Sequence, residues 1–211
     1  MAMRYRLVIF DFDGTLADSF PWFSRVINDV ADRYRFKRIE PHETDTLRTL
    51  DARELMRHLG VAAWKIPFIA NHMRKRKSRE LDQMRLFDGV DRMLRRLHET
   101  NVTLALVSSD SEPNVRAILG ADNASMIRHY ECGASLFGKA SRFRRVLRRS
   151  GTQASNAICI GDEIRDFDAA QTAGIAFGAV TWGYANAEAL IVRSPAIVFR
   201  TVDEIADRLA H

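Results

Sequence analysis

From residue 90 onward, short apolar runs alternate with amphipathic stretches, and few folds accommodate that pattern. Periodicity predicts helices over 90–98, 113–119, 142–149 and 167–173, with a weaker one near Glu188. It predicts strands over 102–107, 130–132, 157–160, 175–180 and 197–199. A last helix opens at the capping-box spacing Thr201-x-x-Glu204. Such alternation argues for a parallel sheet with helices on both faces, because a parallel strand pair needs a crossover long enough to hold a helix. At the start of the chain, residues 5–10 form a run rich in Val, Ile and aromatics, cut off by Asp11-Phe12-Asp13-Gly14-Thr15. This reads as one more buried strand, ending in two carboxylates. The expected fold is α/β, a Rossmann-like doubly wound parallel sheet.

Between that first strand and the alternating region the pattern is helical, with no strand signal. Pro21 sits near a first turn, and Phe23, Val26, Ile27, Val30 and Tyr34 form an apolar stripe. Asp51-Ala52-Arg53-Glu54 has capping-box spacing, and Gly60 is placed to end that helix. A longer helix aligns Ile66, Ile69, Met73, Lys77 and Leu81. The expected organisation is a core of residues 1–16 plus 89–211, with an inserted helical cap over 17–88.

Composition narrows the classes. A chain of 211 residues, 46% hydrophobic and 28% charged, with 11 Gly and 5 Pro, is neither collagen-like, disulfide-stapled nor wholly disordered. No apolar run approaches the roughly 18 residues that cross a bilayer. The apolar start runs straight into Asp11 and Asp13, unlike a secretory signal, so a cytoplasmic location without a membrane partner is expected. Cys132 and Cys159 lack Cys-x-x-Cys or Cys/His spacing, so neither a disulfide framework nor a zinc site is indicated. Lys and Arg number 32 against 27 Asp and Glu, and the resulting +5 favours anionic partners only weakly.

In open α/β sheets, ligands bind beyond the carboxyl ends of the strands. The residues there are Asp11 and Asp13, then Ser108, Ser109 and Asp110, then Gly161, Asp162 and Asp166. A doubly wound sheet brings these remote carboxylates together if the first strand is central. Like charges packed that closely are costly unless a cation joins them. All-oxygen ligation by carboxylates suits Mg²⁺, which also takes a phosphate oxygen, and that points to phosphate chemistry.

These residues carry a family resemblance. Asp11-Phe12-Asp13-Gly14-Thr15-Leu16, a hydrophobic strand ending in Ser108, Lys139, and Gly161-Asp162-x-x-x-Asp166 resemble, in order, the four motifs of the haloacid dehalogenase-like phosphohydrolases. The helical insertion also falls where this family's helical-cap members carry a lid. The resemblance implies that Asp11 is the nucleophile forming an aspartyl-phosphate, and that Asp13 is the acid for the leaving alcohol and then the base for water. It implies that Ser108 binds phosphoryl oxygens and that Lys139 neutralises charge on the nucleophile and the transferring group. Asp162 would hold Mg²⁺ beside the Asp11 carboxylate and the Asp13 main-chain carbonyl. Asp166 would order a metal water or the Lys139 ammonium, and Gly14 leaves room for phosphate to approach. Dehalogenating members lack an acid at position 13, so Asp13 favours phosphomonoester hydrolysis. The implied substrate is a small phosphorylated metabolite, and among helical-cap relatives the chain looks most like phosphoglycolate phosphatases.

Several features have competing readings. Ser109 could replace Ser108. Glu163 adds a charge near the metal position, either as a ligand or as pocket lining. Gly133 to Lys139 nearly fits a P-loop, but Ala140 stands where that loop's hydroxyl should be. Arg74 to Arg79 holds five basic residues in six, read in preference as a solvated helix face. Arg142, Arg144, Arg145, Arg148 and Arg149 read as a surface helix, and the six histidines show no ligand spacing. Trp182-Gly183-Tyr184 follows a strand and either borders the pocket or simply packs. Two rival functions are a sugar phosphomutase with the same nucleophile and a noncatalytic nucleic-acid-binding protein, the latter disfavoured by intact Asp11 and Asp13.

Overall fold

The computed structural model describes residues 5–133 and 138–210. Six parallel strands form one sheet: β1 (Leu7–Phe10), β2 (Thr103–Val107), β3 (His129–Glu131), β4 (Ala157–Gly161), β5 (Ala176–Val180) and β6 (Ile197–Phe199). Their order is β3-β2-β1-β4-β5-β6, so β1 is central, flanked by β2 and β4. The strand signals in the sequence are all present, each within two residues of its expected ends. All four β1 side chains are fully buried, as a strand covered on both faces requires. Each contributes roughly 1.5–3 kcal/mol of apolar burial.

Side chains of successive strand residues point to opposite faces, and this divides the core in two. Val8, Phe10, Leu104, Leu106, Ile158 and Ile160 face one way, onto α5 (Val90–Glu99), α6 (Glu112–Met126) and α10 (Val202–Leu209). Leu7, Ile9, Ala105, Val107 and Cys159 face the other way, onto α7 (Lys139–Ser150) and α8 (Ile164–Ala173). The sheet is therefore doubly wound, as expected. A short helix, α9 (Ala187–Ile191), follows β5. Within α6 the expected helix 113–119 ends where Gly120, at φ 76° and ψ 164°, leaves helical geometry, and a second helical stretch continues to Met126.

Between β1 and α5 the chain is helical, with α1 (Phe20–Tyr34), α2 (Thr44–Leu47), α3 (Ala52–His58) and α4 (Ile66–Lys77). Asp51 accepts from the Arg53 and Glu54 amides while Glu54 reaches back to the Asp51 amide, the full capping box its spacing predicts. Helix α4 ends at Lys77, short of the expected Leu81, which lies in a separate 3-10 turn. The segment leaves and rejoins the core side by side. Ala17 bridges to Leu86, the Asp18 amide donates to the Arg85 carbonyl at 2.9 Å, and the Phe87 amide donates to the Leu16 carbonyl at 2.9 Å. Its own core is small, centred on Trp22, Val26 and Met84.

Candidate active site

The site lies where the topology puts it, beyond the carboxyl ends of β1, β2 and β4. Central β1 delivers Asp11 directly after Phe10. The buried β4 ends at Gly161 and delivers Asp162, while the first turn of α8 supplies Asp166. One oxygen from each of Asp11, Asp162 and Asp166 lies within 4.8 Å of the others, and all three residues are buried. Lys139, at the start of α7, places Nζ 2.8 Å from Asp11 Oδ1 and also pairs with Asp166. The residues between β3 and Lys139 that complete the P-loop-like run, 134–137, lie outside the described residues.

Burial and the neighbouring Asp166 push the Asp11 carboxyl up to about 6, against the opposing pull of Lys139 and Arg165. Burial, then the charges of Glu163, Asp11 and Asp166, push Asp162 well above the usual carboxylate range, with Thr15's hydrogen bond opposing. Lys139 is raised as well: burial lowers it, but Asp11 and Asp166 outweigh that and hold it charged. Among the described residues, Asp11 Oδ2 is buried without a hydrogen-bond partner. Clustered carboxylates forced towards protonation, one with an orphaned oxygen, are the donor set a hard divalent cation fits.

Asp162 is held in place by one side-chain and one backbone hydrogen bond. The Thr15 hydroxyl donates to its Oδ1 at 2.7 Å, and the Tyr184 amide donates to its Oδ2 at 2.7 Å. A Cβ on Gly14, whose φ is +79°, would stand 2.2 Å from Asp162 Oδ2, and one on Gly183 would stand 2.1 Å from Asp162 Cβ. Trp182-Gly183-Tyr184 therefore shapes the site as well as packing near it. Gly183→Ala is expected to displace Asp162 and lower turnover by about a hundredfold, since a misplacement of roughly 1 Å has that cost. Steady-state kinetics at matched folded fraction checks this, and near-normal turnover would remove Asp162's placement from the argument.

Ser108 is buried, and its Oγ accepts from the Asp110 amide at 3.0 Å, which leaves its hydroxyl proton to donate. Ser109 turns its carbonyl to Arg74 Nη1 at 2.9 Å. Asp13 stands two residues beyond Asp11 and pairs with Lys77 of α4. Burial raises its carboxyl, but the charge and hydrogen bond of Lys77, with the Ser19 hydroxyl, outweigh burial and hold it below the usual range.

Lys77 corrects the reading of the basic run as a solvated face. It is buried, pairs with Asp13, lies 2.9 Å from Asp110 Oδ2, and sits over the Phe12 and Trp22 rings at 5.7 and 5.9 Å. Arg74 likewise faces the core, while Lys75 and Arg79 are exposed. A lysine on the Ile66–Met73 apolar line was the available signal. The arginines of α7 also depart from a plain surface helix, because Arg142, Arg145 and Arg149 converge on the buried Glu131 carboxylate.

Two further cations escape motif reasoning. Arg165 pairs with Glu163, yet its Nε and Nη1 are buried without partners among the described residues, so it presents donors for an oxyanion. Arg48 Nε and Nη2 donate to the Tyr184 and Gly183 carbonyls, both at 2.8 Å, clamping the helical segment to the core. Asp13, Arg48, Arg74, Lys77, Ser109 and Arg165 all line one cavity of about 750 Å³ between that segment and the sheet.

Comparison with known proteins places the chain in a family and agrees with its fold. Residues 8–180 match the family model described as haloacid dehalogenase-like hydrolase. The chain is 28% identical over 199 residues to the phosphoglycolate phosphatase of Synechococcus elongatus, covering 94% of each. It is also 28% identical over 216 residues to the tyrosine-protein kinase PtkA of Mycobacterium tuberculosis, covering 97% of this chain and 72% of that one. A solved haloacid dehalogenase-like family hydrolase from Streptococcus pneumoniae superposes with a TM-score of 0.79 at 16% identity, covering 97% and 98% of the two chains.

Proposed function

Because the chain belongs to the haloacid dehalogenase-like hydrolase family, we propose that it is a magnesium-dependent phosphohydrolase. It acts on small-molecule phosphomonoesters through an aspartyl-phosphate, in the manner of the phosphoglycolate phosphatases it resembles. The observation that carries this is Asp11: a buried carboxylate at the tip of the central strand, with one oxygen on Lys139, the other without a partner among the described residues, and a cavity that reaches Asp13 two residues on. In this reading residues 17–88 are a cap over a core of 1–16 and 89–211.

Asp11 attacks phosphorus, forming an Oδ–P bond as the P–O bond to the alcohol breaks, which divides one hard displacement into two easier ones. Lys139 and the Ser108 hydroxyl stabilise charge on the nucleophile and the phosphoryl oxygens. Asp13 gives its proton to the departing alkoxide, then takes one from the water that attacks phosphorus, releasing phosphate and restoring Asp11. Lys77 holds Asp13 as the carboxylate in the resting site. An arriving phosphoryl dianion competes for Lys77 and frees Asp13 to take up the proton it must donate. The Asp11 and Asp162 carboxylates and the Asp13 carbonyl would hold Mg²⁺, with Asp166 ordering Lys139. When bound, the ion supplies charge neutralisation between carboxylates and phosphate.

The test is phosphate release from a panel of phosphomonoesters with Mg²⁺ or EDTA. Release in Mg²⁺, at least a hundredfold slower in EDTA and restored by added Mg²⁺, is expected. Release indifferent to EDTA would refute the metal requirement, and silence across the panel would refute the phosphatase.

A further inference from the structure

We infer that the natural substrate carries a bulky, largely apolar alcohol, much larger than glycolate, housed in the chamber above the site. This rests on the phosphatase reading and specifies its substrate class. The chamber reaches the acid–base carboxylate: the cavity of about 750 Å³ has Asp13, Lys77 and Arg165 at one end and α1, α3 and α4 as its walls. That volume is of the size that encloses a drug-sized ligand. A two-carbon acid would leave most of it unfilled.

The chemistry of the walls is apolar. Phe23, Ile27, Leu55, Met56, Ile69 and Met73 line the cavity, and residues 55, 56, 69 and 73 of α3 and α4 are only half-buried. Apolar faces turned inward yet left partly uncovered gain by receiving an apolar guest. Near the floor stands an aromatic group: the Phe20 and Tyr184 rings meet edge-on at 5.1 Å, and Phe23 and Tyr184 at 5.6 Å. A flat, ring-bearing alcohol would find favourable edge and face contacts there.

The polar wall residues are largely engaged elsewhere. Asn28 exchanges both its amide groups with the backbone of Ile39, at 2.9 and 2.8 Å. Asp51 caps α3, and Arg38 pairs with Asp32. A second carboxylate on the substrate would lose its hydration against the apolar walls without recovering matching bonds there. Of the other cations on the lining, Arg48, Arg74 and Lys77 are engaged with Gly183 and Tyr184, with Ser109 and with Asp13, and Arg165 is left for the phosphoryl group.

The decisive experiment compares kcat/KM for 2-(2-naphthyl)ethyl phosphate, ethyl phosphate and phosphoglycolate with Mg²⁺. All three release primary alcohols, so leaving-group chemistry differs little and the comparison reports on the chamber. The naphthyl compound is expected to exceed both others by at least tenfold. Ile69→Trp, which fills the chamber from α4, is expected to reduce the ratio of naphthylethyl to ethyl phosphate kcat/KM by at least tenfold. A ratio unmoved by that substitution, or phosphoglycolate turned over as fast as the naphthyl compound, overturns the inference while leaving the phosphatase standing. Failure to hydrolyse any of the three removes both.

Discussion

Asp11→Asn is expected to abolish turnover and, in the same protein, to raise the stability of the metal-free form above pH 6. The loss of rate follows from the nucleophile: an amide oxygen does not replace a carboxylate in attack on phosphorus, and the drop should be about 10⁴-fold or more. The gain in stability follows from linkage. The Asp11 carboxyl rises from its ordinary 3.8 to about 6 on folding, so the folded state prefers the protonated acid. Ionisation therefore opposes folding. The penalty grows as pH climbs from 3.8 to about 6 and is fully present above that, reaching on the order of 3 kcal/mol for a shift of about two units. Asn carries no such penalty and still offers Lys139 an acceptor. Denaturant melts in EDTA should show the two proteins converging near pH 4 and diverging to a plateau above pH 6.5, with added Mg²⁺ narrowing the gap. A stability difference that does not change with pH, or a variant that turns over normally, would contradict the role given to Asp11.

Lys139→Met should do the opposite to stability and the same to rate. The ammonium lies between Asp11 and Asp166, and its removal leaves both buried carboxylates facing each other with Asp162 beside them. Breaking one side of a buried ion pair costs about 3–5 kcal/mol. Turnover should fall by roughly 10³-fold, because charge developing on the phosphoryl group loses its nearest fixed cation. Adding Asp166→Asn to that variant separates the effects. The double variant should recover part of the lost stability, having one fewer carboxylate to accommodate, and none of the lost rate. Recovery of rate in the double variant would mean that Lys139 matters only for holding the carboxylates together.

What could be read from the chain before its fold was known divides along a physical line. The sheet was legible because strand and helix each impose a period on apolar residues, and Leu7–Phe10 has no polar residue to interrupt it. Asp11, Asp162 and Asp166 were legible because their types and spacing are tied to strand ends, and the strand order brings them together, while Lys139 was legible only through the family resemblance. Lys77 and Arg48 were not, since their partners lie on other elements: Asp13 is 64 residues from Lys77, and the Gly183 carbonyl is 135 from Arg48. No local period encodes such a pairing. The α7 arginines show the same limit, as their common partner Glu131 lies on a separate element, β3.

The paired crossing at Ala17 and Leu86 has a consequence for inheritance. Adjacent hydrogen-bonded strands lie only about 4.8 Å apart, so the sheet meets this whole helical segment as it would meet the tip of a hairpin. Closing a longer or shorter excursion between the same two points changes the chain entropy only slowly with length. A different set of helices can be grafted at that doorway while β1, β2 and β4 keep their register. Floor and ceiling can thus diverge at different rates, one conserving a reaction while the other recruits new guests.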